Sequence, residues 1–408
     1  MTRASKKSWL AFGIGLIWFY ALLWPLIGIK PDGLHFAQSF EVWLKIAAPA
    51  LILFSLFQLK KAGKLNFITK PLGAASEGAA AAYHKLPTWA VFVVIGVIVV
   101  LFPEFTGRYP KDVAINVMIY VCLGLGLNIV VGLAGLLDLG YIAFYGVGAY
   151  TYALMSTQFG LSFWICLPLS ALFAAIAGCF IGYPTLRMRG DYLAIVTLGF
   201  GEIVRLVINN WMSLTNGPNG ILGIKAPGAY VPKFDPFSLE HIWLKKLGLT
   251  YYVVAAITLV VIIFVYRLAH SRIGRAWEAM REDETAAEIM GVNTFLLKLL
   301  AYAMGASIGG VAGTYFAARM RFVSPESFTF LESAMVLAMV VLGGLGSIPG
   351  VILGAIALIA LPEIFREFEL YRMLIFGGVM TLMMLFRPEG LWPAKRSGIG
   401  AQKVKKEN

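Results

Sequence analysis

The chain has 408 residues, of which 59% are hydrophobic and only 14% charged, with a formal net charge of +12. A soluble domain carries about 25% charged residues. Here apolar runs of roughly 20 residues, each long enough to cross a bilayer, recur along the whole chain. That excludes a soluble enzyme and predicts an all-α polytopic membrane protein of about 10–12 transmembrane helices, because only helices or closed barrels satisfy every backbone group in lipid.

In chain order, residues 1–110 read as an N-terminal membrane extension. Arg3, Lys6 and Lys7 precede an apolar run from Trp9 to Ile29 with no small-x-small cleavage site behind it, so an uncleaved first span is expected. Further spans are expected near 42–59 and 88–103, joined by a basic, Ala-rich connector over 60–87. Residues 111–390 form a Gly-rich core. Its spans are expected near 113–132, 138–158, 163–183, 191–212, 250–268, 297–318, 331–346, 349–365 and 371–387. Two stretches leave the number of crossings open. VGLAGLLDLG at 131–140, and 331–361 with Gly343, Gly344, Gly346, Pro349 and Gly350, suit either a tight hairpin or a re-entrant pair of half-helices. A basic tail, 391–408, ends the chain.

Lys and Arg sort by side. The segments on the N-terminal side hold 20 of them and the opposite loops 11. By the positive-inside rule both termini are cytoplasmic, and no nucleic-acid partner is needed to explain the charge. Cys122, Cys166 and Cys179 lie in apolar runs and the four histidines are scattered, so no metal site is indicated. There is no G-x-x-x-x-G-K-[ST], hence no nucleotide site of the P-loop kind.

Within the core, several residues stand out. Asp138 is costly in lipid and should face protein or cap a helix. Tyr141, Tyr145 and Tyr152 follow it near one helical face, as candidates for a translocation path lined by a few hydroxyls. Glu202 and Arg205 are spaced to pair on one helix, as structural glue or as part of a gate. Gly199 and Gly201 stand ready to break that helix. Gly305, Gly309 and Gly313 make a small-xxx-small face for helix packing, either within the chain or against a second membrane chain. Asn216-Gly217 and Asn219-Gly220 mark turns in TNGPNGI.

The densest polar interruption is RLAHSRIGRAWEAMREDETAAEIMG, 267–291. Its charges place it outside the hydrocarbon. Ile273, Trp277, Met280 and Glu284 follow helical spacing. Thr285 at N-cap with Glu288 at N3 fits a capping box, and Gly291 suits a left-handed C-terminal residue. Two short helices meeting near 281–285 are expected, with Trp277 and Met280 as an apolar face for a groove on a soluble partner.

The run Ala286, Ala287 and Gly291 resembles the E-A-A-x-x-x-G coupling loop of ABC-importer permeases. Thr285 stands at the usual Glu position, and no I-x-L-P follows. SRIGRAW with its acidic run and final A-x-x-M-G, together with GLAGLLDLGYIAFYGVGAYTYAL, is similar to the M-type chains of the Liv branched-chain amino-acid permeases. The resemblance covers roughly 111–390. It implies a bacterial inner-membrane permease core with a helical N-terminal extension. The expected partners are a Liv H-type second permease, two Liv G/F-type ATPases and a periplasmic amino-acid-binding protein. No cofactor is expected on this chain, ATP being used by the partner subunits. Arg275, Trp277, Glu278, Met280, Thr285, Ala286, Ala287, Glu288 and Gly291 would then form the ATPase-coupling loop. Leucine, isoleucine and valine are the implied substrates, with urea or short amides as the alternative within the class. A secondary transporter fits less well, since Asp and Glu are sparse inside the spans.

Overall fold

The computed structural model describes residues 29–30, 33–34, 101–185, 188, 191–234, 237–243, 247–360, 363 and 390–392. The chain divides into two compact units, Met1–Gly96 and Val97–Asn408. In the first, Ile29–Lys30 (β1) pairs antiparallel with Gly33–Leu34 (β2). The expected spans 9–28, 42–59 and 371–387, most of 88–103, the connector and nearly all of the tail lie outside the described residues.

The second unit is a helical bundle. Its first elements are α1 (Arg108–Leu127), α2 (Ile142–Gln158), α3 (Phe163–Thr185) and α4 (Asp191–Asn210), followed by the short α5 (Met212–Thr215). Then come α6 (Leu247–Ala269), α7 (Arg272–Glu282), α8 (Glu284–Ile289), α9 (Thr294–Met320), α10 (Phe330–Gly343) and α11 (Ile348–Ala355). Among the described residues, five helices are long and apolar enough to span: 108–133, 163–184, 192–210, 248–269 and 294–320.

The bundle is built around α9, which packs on α3, α2 and α1. Helices in lipid gain from close packing rather than from a hydrophobic drive, so backbones approach where residues are small. Gly310 meets the Ser170 carbonyl and Ala174 of α3, Gly313 meets the Tyr145 and Ala149 backbone of α2, and Gly305 meets Gly126 and Val130. The expected breaks at Gly199 and Gly201 do not occur. Helix α4 runs through both, because Gly201 is where the backbone of Gly140 comes within 3.0 Å of a would-be Cβ.

Both ambiguous stretches hold a break between two helices. At Asn128, α1 takes up π-helical pitch, and it stops at Leu133. Residues 134–141 are not helical apart from a turn, and α2 starts at Ile142. There the Tyr141 hydroxyl donates to the Gly305 carbonyl at 2.9 Å. Gly305 is well inside α9, so α2 begins inside the bundle and not at a membrane surface. The helix expected near 138–158 is therefore present over 142–158, starting four residues later. It starts late because Asp138 spends a carboxylate oxygen on the Gly140 N–H at 2.9 Å, holding a turn ahead of the helix.

Helix α10 has 14 residues, about 21 Å of rise against the roughly 30 Å hydrocarbon core. Helix α11 continues in π-helical pitch through Ile356–Ala360, and the end of the span expected at 349–365 lies outside the described residues. The two lie antiparallel, with Gly343 against Gly350 and Met339 against Gly354. Gly344 (φ 120°) and Gly346 (φ 84°) form the tip. The stretch expected as a tight hairpin or a re-entrant pair is thus a tight helical hairpin at 343–348.

At the end of the bundle away from α7 and α8, Ile221–Leu222 (β3) pairs with Phe322–Val323 (β6). The expected turns of TNGPNGI are formed, with Asn216, Gly217 and Gly220 all at positive φ. Gly228–Phe234 (β4) and Phe237–Trp243 (β5) form a hairpin that the sequence reading leaves as loop. The alternation in FSLEHIW after Asp235-Pro236 is the signal it overlooks.

Candidate coupling hairpin and translocation site

The polar stretch folds as two helices, α7 and α8, at right order and position. Ser271 caps α7 by accepting from the Gly274 N–H at 3.2 Å. The cap of α8 differs from the expectation. Asp283, not Thr285, accepts from the Ala286 N–H at 3.0 Å, and α8 starts at Glu284. Asp is at least as good a cap as Thr, and placing it two residues earlier draws Thr285 into the first turn, where it is exposed. Glu288 therefore has no capping-box role; it accepts from the Thr294 hydroxyl at 2.6 Å. The C-terminus matches the expectation. Gly291 has φ 85°, its N–H donates to the Glu288 carbonyl, and the Val292 N–H donates to the Ala287 carbonyl. This is a Schellman arrangement.

The apolar face of α7, expected to meet a soluble partner, is turned inward. Trp277 is fully buried, Met280 nearly so, and the Trp277 indole N–H donates to the Leu297 carbonyl at 2.7 Å. An indole has an apolar body and one polar handle, and here α9 satisfies both. Ala287 is also buried, while Lys298 of α9, itself buried, pairs with Glu284 of α8. These contacts fix the hairpin to the bundle. Its outward face is a different set: Arg275, Glu278, Thr285, Ala286 and Glu288 are exposed, and beside them Ile289 and Met290 stand 81% and 82% exposed.

The candidate path residues fall into two groups. Tyr141, Tyr145 and Tyr152 are buried in the core of the bundle. Tyr141 is bonded to Gly305, Tyr145 packs its ring tilted against Phe316 and edge-on to Phe328, and the Tyr152 hydroxyl donates to the Lys225 carbonyl at 2.7 Å. Asp138 is buried in the turn before α2. Glu202 and Arg205 differ. They do pair: Arg205 Nε donates to Glu202 Oε1 at 2.9 Å and Oε2 at 3.1 Å. The pair sits along the middle of α4, whose span is only 28% buried. Glu202 also borders a cavity of ≈ 10 Å³ beside Gly140, Ile142, Leu198, Phe328 and Ser333, at the point where α2 begins. That volume admits about one water. A mid-helix ion pair is costly against lipid, so this face of α4 calls for cover by protein or water.

Of the two readings of the glycine face, the packing is within the chain. Gly305, Gly309 and Gly313 are spent within the chain, on Val130, on Phe144 with Tyr141, and on Tyr145. No room is left at them for a second permease. Sequence reasoning also missed the cluster at the far end of the bundle. There Arg319 of α9 holds Asp112 at 3.0 Å and also Asn116, both of α1, and the Tyr120 hydroxyl donates to Glu332 of α10 at 2.8 Å.

Long apolar spans around a Gly-packed central helix and a capped polar hairpin at one end define a multi-pass helical membrane protein. The chain belongs to the family "branched-chain amino acid transport system / permease component", whose model matches residues 109–386. It is 50% identical over 317 residues to the high-affinity branched-chain amino acid transport system permease protein LivM of Escherichia coli (strain K12), which covers 74% of this chain and 75% of that protein. It is 26% identical over 249 residues to the probable branched-chain amino acid transport permease protein LivM of Methanocaldococcus jannaschii, covering 56% and 69%. A weaker match, 24% identical over 284 residues and covering 67% and 90%, is to the permease protein LivH of Salmonella typhimurium. No solved structure matches. The chain is thus a multi-pass permease and not an enzyme.

Proposed function

We propose that this chain is the membrane permease of a bacterial ABC importer for leucine, isoleucine and valine. The observation that carries this reading is the 50% identity to a high-affinity branched-chain permease, running through the described bundle and its polar hairpin. The partners are a second permease of similar fold, two cytoplasmic ATPases and a periplasmic binding protein. The likeness to LivH supports the second permease, since two related chains align over most of the bundle. The chain sits in the inner membrane with both termini and the α7–α8 hairpin in the cytoplasm. ATP is consumed by the partner subunits.

Within this reading, α7 and α8 are the coupling element, and Ile289 and Met290, flanked by Arg275 and Glu278, fill the ATPase groove. Exposed apolar residues at a polar, water-facing end have no lipid to cover them, which supports that role. Glu202 and Arg205 face the translocation path where the second permease abuts α4.

Co-expression with the second permease and both ATPases tests the proposal. The four subunits should co-purify, and ATP hydrolysis should rise when binding protein loaded with leucine is added. Stimulation by urea or acetamide with its own binding protein, and none by leucine, would move the assignment to the amide importers.

A further inference from the structure

Two side chains outside the exposed docking face join the hairpin to the tip of the α10–α11 pair. Arg281, at the end of α7, is half-buried, and its guanidinium donates to the Gly132 carbonyl in the π-helical segment that ends α1. Gly135, at φ 74°, lies on the same side chain, where a Cβ would come within 2.7 Å of Arg281 Cγ. Arg281 therefore holds the end of α1 and the start of the segment that leads to α2. One turn back in the same segment, Asn128 is buried, and its Oδ1 accepts from the Gly346 N–H at 2.9 Å. Gly132 leaves room for that amide, since a Cβ there would come within 2.8 Å of Asn128 Cγ. Gly346 belongs to the α10–α11 tip. On its other side the tip is held by the Leu391 and Trp392 N–H groups, which donate to the Leu342 and Gly343 carbonyls at 2.8 and 2.9 Å.

The arrangement is continuous: hairpin, Arg281, π-helical turn, Asn128, tip. A π-helical segment is rare and, where it interrupts an α-helix, falls frequently at functional sites. We infer that Arg281 and Asn128 are positioning residues that pass movement of the coupling hairpin through this turn to the α10–α11 tip. The inference rests on reading α7–α8 as the coupling element. It adds which side chains carry the movement and where it goes.

The test uses the complete complex in proteoliposomes, with leucine-loaded binding protein, and reads leucine taken up per ATP hydrolysed. Arg281→Gln and Asn128→Ala should assemble and hydrolyse ATP within about two-fold of wild type, while uptake per ATP falls roughly ten-fold. Arg281→Lys, which keeps a donor for the Gly132 carbonyl, should regain at least about half the ratio. The inference is overturned if the ratio stays at the wild-type value in both neutral variants, or if uptake and hydrolysis fall in the same proportion. If Arg281→Gln does not assemble, Asn128→Ala decides by the same ratio. A wild-type complex whose uptake ignores ATP would remove the coupling reading itself, and this inference with it.

Discussion

Neutralising either member of the Glu202–Arg205 pair is expected to reduce ATP-driven leucine uptake about ten-fold or more, because removing one partner of such a pair leaves a charge uncompensated. The two side chains are bonded to each other through two short contacts from Nε, on a helix otherwise apolar outward: Ile195, Ile203, Leu206 and Val207 are all exposed. A lone Arg or Glu there would face lipid, the second permease or the path with nothing to balance it. The double variant separates glue from path. If the pair serves the path, Glu202→Gln/Arg205→Gln should regain assembly with the second permease but not uptake. If it is only glue, the double variant recovers both, as expected for two residues whose effects are strongly non-additive. Subunit retention and initial uptake rates, measured on the same preparations, distinguish the two.

The second large effect is expected at the hairpin. Ile289→Asp/Met290→Asp should release the ATPases while the permease still inserts. Burying two such side chains contributes about 3 kcal/mol or more, roughly a hundred-fold in affinity. Trp277→Ala should behave differently, although the spacing of α7 marks it as the obvious anchor. Its indole is fully enclosed by this chain and bonded to Leu297, so truncation creates an internal cavity costing about 3–5 kcal/mol. The expected result is a lower unfolding temperature of the isolated permease in detergent. Full thermal stability together with ATPase loss in Trp277→Ala would put the docking surface back on Trp277 and Met280.

This contrast shows what a single sequence can and cannot reveal here. Spans such as 163–183 and 297–318 were legible because a bilayer imposes length and hydropathy on any helix that crosses it, and the structure has helices over Phe163–Thr185 and Thr294–Met320. Local chemistry was legible too: Gly291 takes the left-handed conformation, and Glu202 pairs with Arg205. What failed was direction. Periodicity says that Trp277 and Met280 share a face, not which way the face points. The same holds for Gly305, Gly309 and Gly313, whose small-residue spacing reads identically for a partner chain and for α1 and α2. Contacts distant in sequence, such as Arg281 with Gly132 or Arg319 with Asp112, leave no pattern in either segment. The cap on α8 was misplaced because Asp283 and Thr285 are both good caps, and only the fold chooses between them.

Uptake of labelled leucine into proteoliposomes holding this chain, the second permease and the two ATPases, with ATP inside and binding protein outside, tests the central claim most directly. Saturable accumulation of leucine above its outside concentration, abolished by omitting ATP or the binding protein, is the predicted result. Accumulation driven by a proton or sodium gradient in vesicles lacking the ATPases would contradict it.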